Sequence, residues 1–318
     1  MVGYDPKEVV HLSHVEHAVA GAVSGAATRT VVQPFDVLKI RFQLQVEPVR
    51  AAAGSKYHGM LQAINCIVRD EGVKALWKGH IPAQVLSVLY GISQYGTFEI
   101  LTEEVWHYLP ATLTTTYRPL THSVCGGLSG CISTVVIHPV DVIRTRFVAQ
   151  GEPKIYSSLT SAVQTIMREE GVRGFYRGIL PAAAQIGPQM GFQFGLYAAF
   201  IQLWNSSLGL WPTTPPESLQ SLICGSGSGL IAKLLVYPLD VVKKRLQVQG
   251  FEKARQTFGA VRKYRGLFHC FQVSLREEGM ACLFKGLGPS LIKASLVAGA
   301  NYCIYEQVCR ALIYRHQR

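Results

Sequence analysis

Pro34-Phe35-Asp36-Val37-Leu38-Lys39-Ile40-Arg41-Phe42-Gln43 occurs three times along this chain in altered form. Pro139-Val140-Asp141-Val142-Ile143-Arg144-Thr145-Arg146 begins 105 residues after Pro34, and Pro238-Leu239-Asp240-Val241-Val242-Lys243-Lys244-Arg245-Leu246-Gln247 another 99 after that. Each copy follows an apolar run and sets a proline, an acid two places on and a base three beyond the acid. Near-equal copies at this spacing mark an internal repeat, which must be recognised before domains are counted. A length of 318 residues otherwise suggests two or three soluble domains.

The surroundings of the motif repeat with it. Glycine pairs four apart (Gly21 and Gly25, Gly126 and Gly130, Gly225 and Gly229) begin 13 residues before each proline, and this spacing lets a neighbouring helix approach closely. After each motif comes a short amphipathic segment, Leu61–Arg69, Leu159–Arg168 and Leu267–Arg276. Each segment ends on acid and glycine (Glu71-Gly72, Glu170-Gly171, Glu278-Gly279), the glycine suiting a left-handed helix end. An aromatic-basic-glycine triplet follows: Trp77-Lys78-Gly79, Tyr176-Arg177-Gly178 and Phe284-Lys285-Gly286. These triplets suit the headgroup level of a bilayer or a helix N-terminus holding a lipid phosphate. Second apolar segments run over Ile81–Phe98, Ile179–Leu203 and Leu287–Tyr305.

The chain therefore divides into an N-terminal tail, 1–15, and three repeats, 16–110, 118–207 and 217–314, each with two spans flanking a short helix. The fold class expected is an all-α membrane protein with six transmembrane helices in pseudo-threefold arrangement. Six spans place both termini on one side and the short helices on the other. Val46–Lys56 reads as a polar linker, and Pro110–Arg118 and Leu208–Pro216 as outside loops.

Composition agrees. Hydrophobic residues are 48% and charged residues 16%, against about 25% charged in a soluble average, and the mean hydropathy is +0.19. The net charge of +11 fits anionic lipid or an anionic ligand drawn into a cavity. No recognition helix or zinc knuckle supports nucleic acid. The eight cysteines form no CxxC, so neither a disulfide scaffold nor a metal is expected. No nucleophile–base pair points to an enzyme. The N-terminus has the form of neither a secretory signal nor an arginine-rich presequence.

A proline inside a long helix removes a hydrogen bond and bends it. Pro34, Pro139 and Pro238 would thus bring three helix ends together, with Asp36/Lys39, Asp141/Arg144 and Asp240/Lys243 at the convergence. Acid and base three apart can pair within one helix, for about 0.2–0.5 kcal/mol. The alternative, favoured by the threefold repeat, pairs each acid with the base of another repeat and closes a ring. Gln43 and Gln247 lie nine residues after their prolines and can brace that ring; Val148 holds the matching place and cannot.

Arg29, Lys233 and Lys293 are the full charges within the span cores, and all are basic. Arg29 and Lys233 each precede a motif proline by five residues, and Lys293 follows Gly286 by seven. A lone lysine can snorkel to the interface; three cations in related positions suggest a phosphorylated ligand. Tyr90, Gln94, Gln185, Phe192 and Tyr302 could hold a heterocycle, although each alone is ordinary helix packing.

The tripled motif, with its acid-glycine and aromatic-basic-glycine partners, resembles the mitochondrial carrier family over about Glu16 to Ile313. Further stretches, among them MVGYDP, FDVLKIRFQLQ, LWKGHIPAQ and LLVYPLDVVKKRLQVQGFEKAR, are similar to the branch of that family that carries thiamine pyrophosphate. The resemblance implies a monomeric inner-membrane antiporter that alternates between cytosol-open and matrix-open states, with both termini in the intermembrane space. It implies thiamine pyrophosphate as cargo, nucleotides or deoxynucleotides as counter-substrates, and no cofactor. It implies matrix-side pairs Asp36–Arg144, Asp141–Lys243 and Asp240–Lys39, and substrate contacts at Leu86, Gln185-Ile186 and Lys293. Cardiolipin is expected at the glycines and triplets around Gly72–Gly79, Gly171–Gly178 and Gly279–Gly286. The family's aromatic-acid-x-x-base motif of the cytosolic side is incomplete here: Glu99 is followed by Thr102, Tyr197 by Ala198, and Glu306 by Cys309. An adenine-nucleotide or coenzyme A carrier, and a non-transporting membrane scaffold, are the competing readings.

Overall fold

A computed structural model describes residues 14–47, 55–108, 118–152, 154–207, 217–252 and 262–316. Ten α-helices and two 3-10 turns, with no strand, make up its regular structure among these residues. Six helices are long: α1 (His14–Leu44), α3 (His80–Tyr108), α4 (Arg118–Ala149), α7 (Ile179–Ser207), α8 (Glu217–Gln247) and α10 (Leu287–His316). Four are short: α2 (Met60–Glu71), α5 (Leu159–Glu169), α6 (Val172–Phe175) and α9 (Leu267–Glu278). The 3-10 turns Val73–Trp77 and Met280–Phe284 occupy the places that α6 takes in the second repeat.

The long helices form a ring, joined in the third repeat through the Met280–Phe284 turn packed on α8. α3 packs on α4, α7 on α8, and α10 returns to α1, so the most extensive contacts run between repeats rather than within them. At 1.5 Å per residue, helices of about 30 residues reach roughly 45 Å, enough to cross a bilayer with its headgroup layers. By composition alone the helical stretches Val124–Ala149, Gln220–Gln247 and Met280–Tyr314 are apolar enough to cross. α1, α3 and α7 have similar lengths and complete the same ring. The even-numbered spans run further than their apolar segments suggested, to Tyr108, Ser207 and His316, because helix propensity continues where hydropathy has ended. The N-terminal tail up to residue 13, much of the Val46–Lys56 linker and most of the two outside loops lie outside the described residues.

Burial is concentrated at the end where the motifs lie. Val37, Leu38, Phe42, Tyr57, Ile67 and Leu76 enclose α2 in the first repeat, together with Val148 of the second. Ile143, Tyr156, Ile166, Phe175 and Phe251 do so around α5, and Val242, Leu246 and Cys270 around α9. Fully burying a side chain such as Ile67 or Ile166 contributes about 1.5–3 kcal/mol. The long helices instead expose Val31, Ile92, Val135, Leu180 and Leu235, as surfaces solvated by lipid do. All eight cysteines are free.

Pro34, Pro139 and Pro238 sit inside unbroken helices. The residue before each anchors its repeat by a hydrogen bond to the basic residue of its own triplet. Gln33 donates to the Lys78 carbonyl at 3.0 Å, the His138 ring nitrogen Nε2 lies 3.0 Å from the Arg177 carbonyl, and the Tyr237 hydroxyl donates to the Lys285 carbonyl at 3.0 Å. The acid-glycine positions do have positive φ, but Gly72, Gly171 and Gly279 carry ψ of 166°, −164° and 178°. That is not the left-handed helical cap expected from the sequence. It is an extended region with positive φ that is open essentially to glycine alone.

Most of the paired glycines differ from expectation. Nothing lies within 4 Å of where a Cβ would sit on Gly21, Gly25, Gly225 or Gly229. Gly130 meets Ile186 at 3.2 Å, and Gly126 only the far edge of Phe98 at 3.9 Å. Close approach occurs at the triplet glycines instead. A Cβ on Gly79 would lie 3.1 Å from the Arg144 carbonyl, one on Gly178 3.0 Å from that of Lys243, and one on Gly286 2.7 Å from that of Lys39. Each triplet therefore begins its span against the motif helix of another repeat.

Candidate functional site: a ring of inter-repeat charge pairs

Those contacts bring the motif acids and bases of different repeats together. Asp36 pairs with Arg144 at 2.6 Å, Asp240 with Lys39 at 2.6 Å, and Asp141 with Lys243 at 2.8 Å. The pairs run between repeats. Gln43 donates to Asp240 at 3.1 Å and to the Tyr237 hydroxyl at 3.2 Å, and Gln247 donates to Asp141 at 2.8 Å.

Two further lysines enter the ring. Lys244 lies 3.0 Å from Asp141 and also donates to Thr145 and Gln247, at 3.0 and 2.9 Å. Lys293 reaches Asp36 at 2.6 Å. The sequence placed Lys293 among the basic residues of the span cores, and the structure gives it an acidic partner on the first repeat. Seven residues beyond Gly286 is two helical turns, or about 10 Å, and from there the long side chain extends back to the neighbouring repeat's carboxylate. Five bases, Lys39, Arg144, Lys243, Lys244 and Lys293, thus face three acids, Asp36, Asp141 and Asp240.

Arg29 and Lys233 add to this excess. The Arg29 guanidinium donates to the Ala83 carbonyl at 3.1 Å and lies within electrostatic reach of Arg144 and Asp36. Lys233 lies within similar reach of Lys39, Lys293, Asp240 and Asp36. Tyr90, Gln185 and Ile186 line a cavity of about 200 Å³ with Thr134, His138, Gln189, Asp141 and Lys243. Gln94 is not part of that lining; it donates to Ser129 of α4 at 2.9 Å. Leu86 is half-buried and Phe192 exposed; the side chain of Tyr302 lies outside the described residues. Of the ring residues, Asp141 and Lys243 line this cavity, beside the amides Gln185 and Gln189, the rings of Tyr90 and His138, and the apolar Ile137, Ala182 and Ile186.

A second tier of charge lies beyond the ring, and sequence reasoning missed its function. Arg41 grips Glu71 with two nitrogens at 2.7 Å each, and Lys78 joins the same carboxylate at 2.5 Å. Arg146 pairs with Glu170 at 2.5 Å beside Arg177 at 2.9 Å. Arg245 pairs with Glu278 beside Lys285 at 2.5 Å. The arginines also donate across repeats, Arg146 to the carbonyls of Gln247 and Gln249 and Arg245 to those of Gln43 and Gln45. Orphan carbonyls at helix C-termini are satisfied in this way. Gln45 and Gln150 then clamp the backbone of Tyr57 and Tyr156 from both sides at 3.0–3.1 Å.

This tier changes the reading of the triplets. Lys78 and Lys285 are committed to buried carboxylates, with side chains only 8% and 6% exposed. Trp77 donates to the Thr30 carbonyl at 2.9 Å, Tyr176 stacks on His138, and Phe284 stacks on Tyr237. Arg177, by contrast, keeps 35% of its side chain exposed. With Gly178, Ile179 and Leu180 it lines a cavity of about 430 Å³ shared with Tyr264, Arg265, Gly266 and Leu267. Two helix starts meet there, and Gly266 caps α9 without a side-chain hydrogen bond. Backbone N–H groups at such a start are a natural seat for an anion.

At the end bearing the termini the inter-repeat contacts include side-chain hydrogen bonds. His17 Nδ1 lies 2.8 Å from the Tyr305 hydroxyl, Ser24 donates to Asn301 at 3.0 Å, and Gln220 donates to Asn205 at 3.0 Å. Glu306 pairs with Arg310 of its own helix at 2.6 Å.

Comparison with known proteins gives a consistent result. The profile of the family described as mitochondrial carrier protein matches residues 10–108, 115–208 and 214–316. The chain is 49% identical over its whole length to the mitochondrial thiamine pyrophosphate carrier of Bos taurus, covering 99% of that protein. It is 49% identical to that of Homo sapiens, over 97% of this chain and 96% of the relative. It is 35% identical to the mitochondrial thiamine diphosphate carrier 1 of Arabidopsis thaliana, over 91% of each.

Proposed function

Because the chain belongs to the mitochondrial carrier family, we propose that it exchanges thiamine pyrophosphate for nucleotides or deoxynucleotides across the inner mitochondrial membrane. It is a mitochondrial membrane transporter, not an enzyme. The observation that carries the cargo assignment is the excess of five bases over three acids in the inter-repeat ring, with Arg29 and Lys233 within electrostatic reach of it. A diphosphate is the complement of such a centre, and the full-length identity to relatives named for this compound supports the same choice.

In this reading the three inter-repeat pairs are the matrix gate and Gln43 and Gln247 its braces, so the conformation described is open to the cytosol, with both termini in the intermembrane space. The diphosphate meets Lys293, Arg29 and Lys233, while the pyrimidine and thiazole rings lie near Leu86, Tyr90, Gln185, Ile186 and Phe192. Binding offsets the loss of the gate pairs, which hold one state without contributing much net energy. Cardiolipin occupies the groove between Gly178 and Gly266, its phosphate on the two helix starts and on Arg177. The carrier works as a monomer, its translocation path lying within the single ring of helices.

Uptake of labelled thiamine pyrophosphate into liposomes holding the purified protein, across a panel of phosphorylated counter-solutes, tests the proposal. Preference for ADP, ATP or coenzyme A over thiamine pyrophosphate would replace the cargo, and absence of saturable exchange would favour a scaffold. Wild-type kinetics in R29A and K293A would move the binding site elsewhere.

A further inference from the structure

Behind each motif helix the chain runs on as a strap that crosses to another repeat, and the three straps are held by different chemistry. Residues 45–47 lie on Lys285, whose Nζ donates to the carbonyls of Gln45, Val46 and Glu47 at 2.8, 2.8 and 2.9 Å. Residues 150–152 lie on Lys78, which donates to the Gln150 carbonyl at 3.2 Å and pairs with Glu152 at 3.3 Å. Residues 249–252 cross in the same way to Arg177, where a Cβ on Gly250 would fall 2.5 Å from a guanidinium nitrogen, at a φ of +83°. Arg177 makes no hydrogen bond to this strap among the described residues; its ion pair is with Glu170. The position thirteen after each motif proline is Glu47, Glu152 and Phe251, and the third strap is held by that phenyl ring. Phe251 is 5% exposed, stacks on Tyr156 with ring centroids 4.6 Å apart, and has the Arg146 guanidinium 5.7 Å from its own centroid. Arg146 also donates to the Gln249 carbonyl at 2.9 Å.

A lysine on backbone carbonyls and the partly exposed Lys78–Glu152 pair are polar contacts that water and ions replace as the groups part. A phenyl ring buried between a tyrosine and an arginine has no such replacement. Leaving its seat exposes apolar surface and loses ring–ring and cation–π contact at once. Phe251 belongs to the third repeat and its seat, Tyr156 and Arg146, to the second, so these two repeats cannot part on this side while the ring is seated. Resting on the reading that the carrier alternates between two open states, we infer that the 249–252 strap is a latch outside the ring of charge pairs, with Phe251 as its catch. It closes one seam of three by apolar contact, where salt and anions do not compete. Phe251 is not part of the lining of the cavity at Asp141 and Lys243, so the latch acts on the change of state and not on cargo affinity. Gly250 sets its geometry, because a side chain there would strike Arg177 and Glu170 and lift Phe251 from its seat.

The experiment compares wild type, Phe251→Ala and Phe251→Leu, the last keeping apolar bulk without the stacking ring. Uptake of labelled thiamine pyrophosphate is measured into empty liposomes and into liposomes loaded with unlabelled substrate, and hydrogen exchange is followed in the ligand-free protein. The ratio of empty-vesicle to loaded-vesicle uptake is expected to rise about fivefold in Phe251→Ala, the scale of one aromatic pair, and about twofold in Phe251→Leu, with KM unchanged in both. Amide exchange should quicken in the same order, both in the strap and in the seam segments 141–150 and 243–247. A lowered unfolding temperature with a wild-type ratio would make Phe251 a packing residue only and overturn the latch. Quicker exchange confined to the strap would overturn it too, and so would a raised KM, which places the effect at the cargo site. Where Phe251→Ala does not fold, Phe251→Leu decides by the same criteria. If the wild type exchanges a different solute, the cargo assignment fails, and the ratios measured with that solute decide the latch. If it exchanges none, the transport reading fails, and exchange in the seam segments decides the latch.

Discussion

Gly286 sits against the main-chain carbonyl of Lys39, so closely that a Cβ would fall 2.7 Å from the oxygen, at a φ of +80°. Backbone meets backbone here, and neither side can give way as a side-chain tip does. Gly286→Ala is expected to lose about 1–3 kcal/mol, read as a lower unfolding temperature in detergent. Gly288→Ala, whose Cβ meets only the Met60 sulfur at 3.9 Å, is the control expected to change little.

Burial alone would raise the Glu71 carboxyl, but hydrogen bonds and charge from Arg41 and Lys78 outweigh it and hold the group below its ordinary range. A carboxylate lowered on folding contributes stability above its unfolded value, about 4.3, and that contribution is lost as pH falls through the folded value. The unfolding temperature should therefore decline below about pH 4.3 more steeply in wild type than in Glu71→Gln. At neutral pH the same substitution leaves Arg41 and Lys78 facing a neutral amide and should cost about 3–5 kcal/mol, the scale for breaking a buried pair.

Lys233 makes no ion pair among the described residues, unlike Lys293. Its removal should therefore weaken binding without loosening the ring. Lys233→Met is expected to raise KM for thiamine pyrophosphate about tenfold and to leave the ratio of empty-vesicle to loaded-vesicle uptake at the wild-type value. Steady-state kinetics in proteoliposomes separate this from the Phe251 variants.

The groove between Gly178 and Gly266 should respond to lipid. Cardiolipin added to delipidated protein should raise the unfolding temperature through preferential binding to the folded state. Arg265→Glu, which reverses a charge on the lining, should reduce that rise while leaving the lipid-free value nearly unchanged.

Much of this architecture was legible because the repeat compares each residue with two others. The motif at Pro34, Pro139 and Pro238 marked the three helix ends, and the similarity to known carriers named the partners that Asp36, Asp141 and Asp240 have in the structure. The second tier was equally visible in principle, since Arg41, Arg146 and Arg245 all lie seven residues after their prolines and Gln45, Gln150 and Gln249 all lie eleven after. It was missed because an acid-glycine turn and an aromatic-basic-glycine triplet each have a local explanation, whereas their real partners lie on another helix. The contact of Lys293 with Asp36 was missed for the same reason. The spacing of Lys293 from Gly286 located it along α10, but nothing in one dimension shows how far a lysine side chain reaches across a repeat boundary.

The unfilled faces at Gly21, Gly25, Gly225 and Gly229 give the two ends of the carrier different sensitivities. The ring end is organised by charge, and ionic strength and anions act on it. On these faces of α1 and α8 there is instead empty space, and what acts there is side-chain volume. A methyl group at any of the four positions meets nothing in the present conformation, so alanine there leaves this state as it is and penalises only a state in which a neighbouring helix has moved in. Added bulk at these glycines thus serves as a one-sided weight on the conformational equilibrium, set by sterics and indifferent to salt.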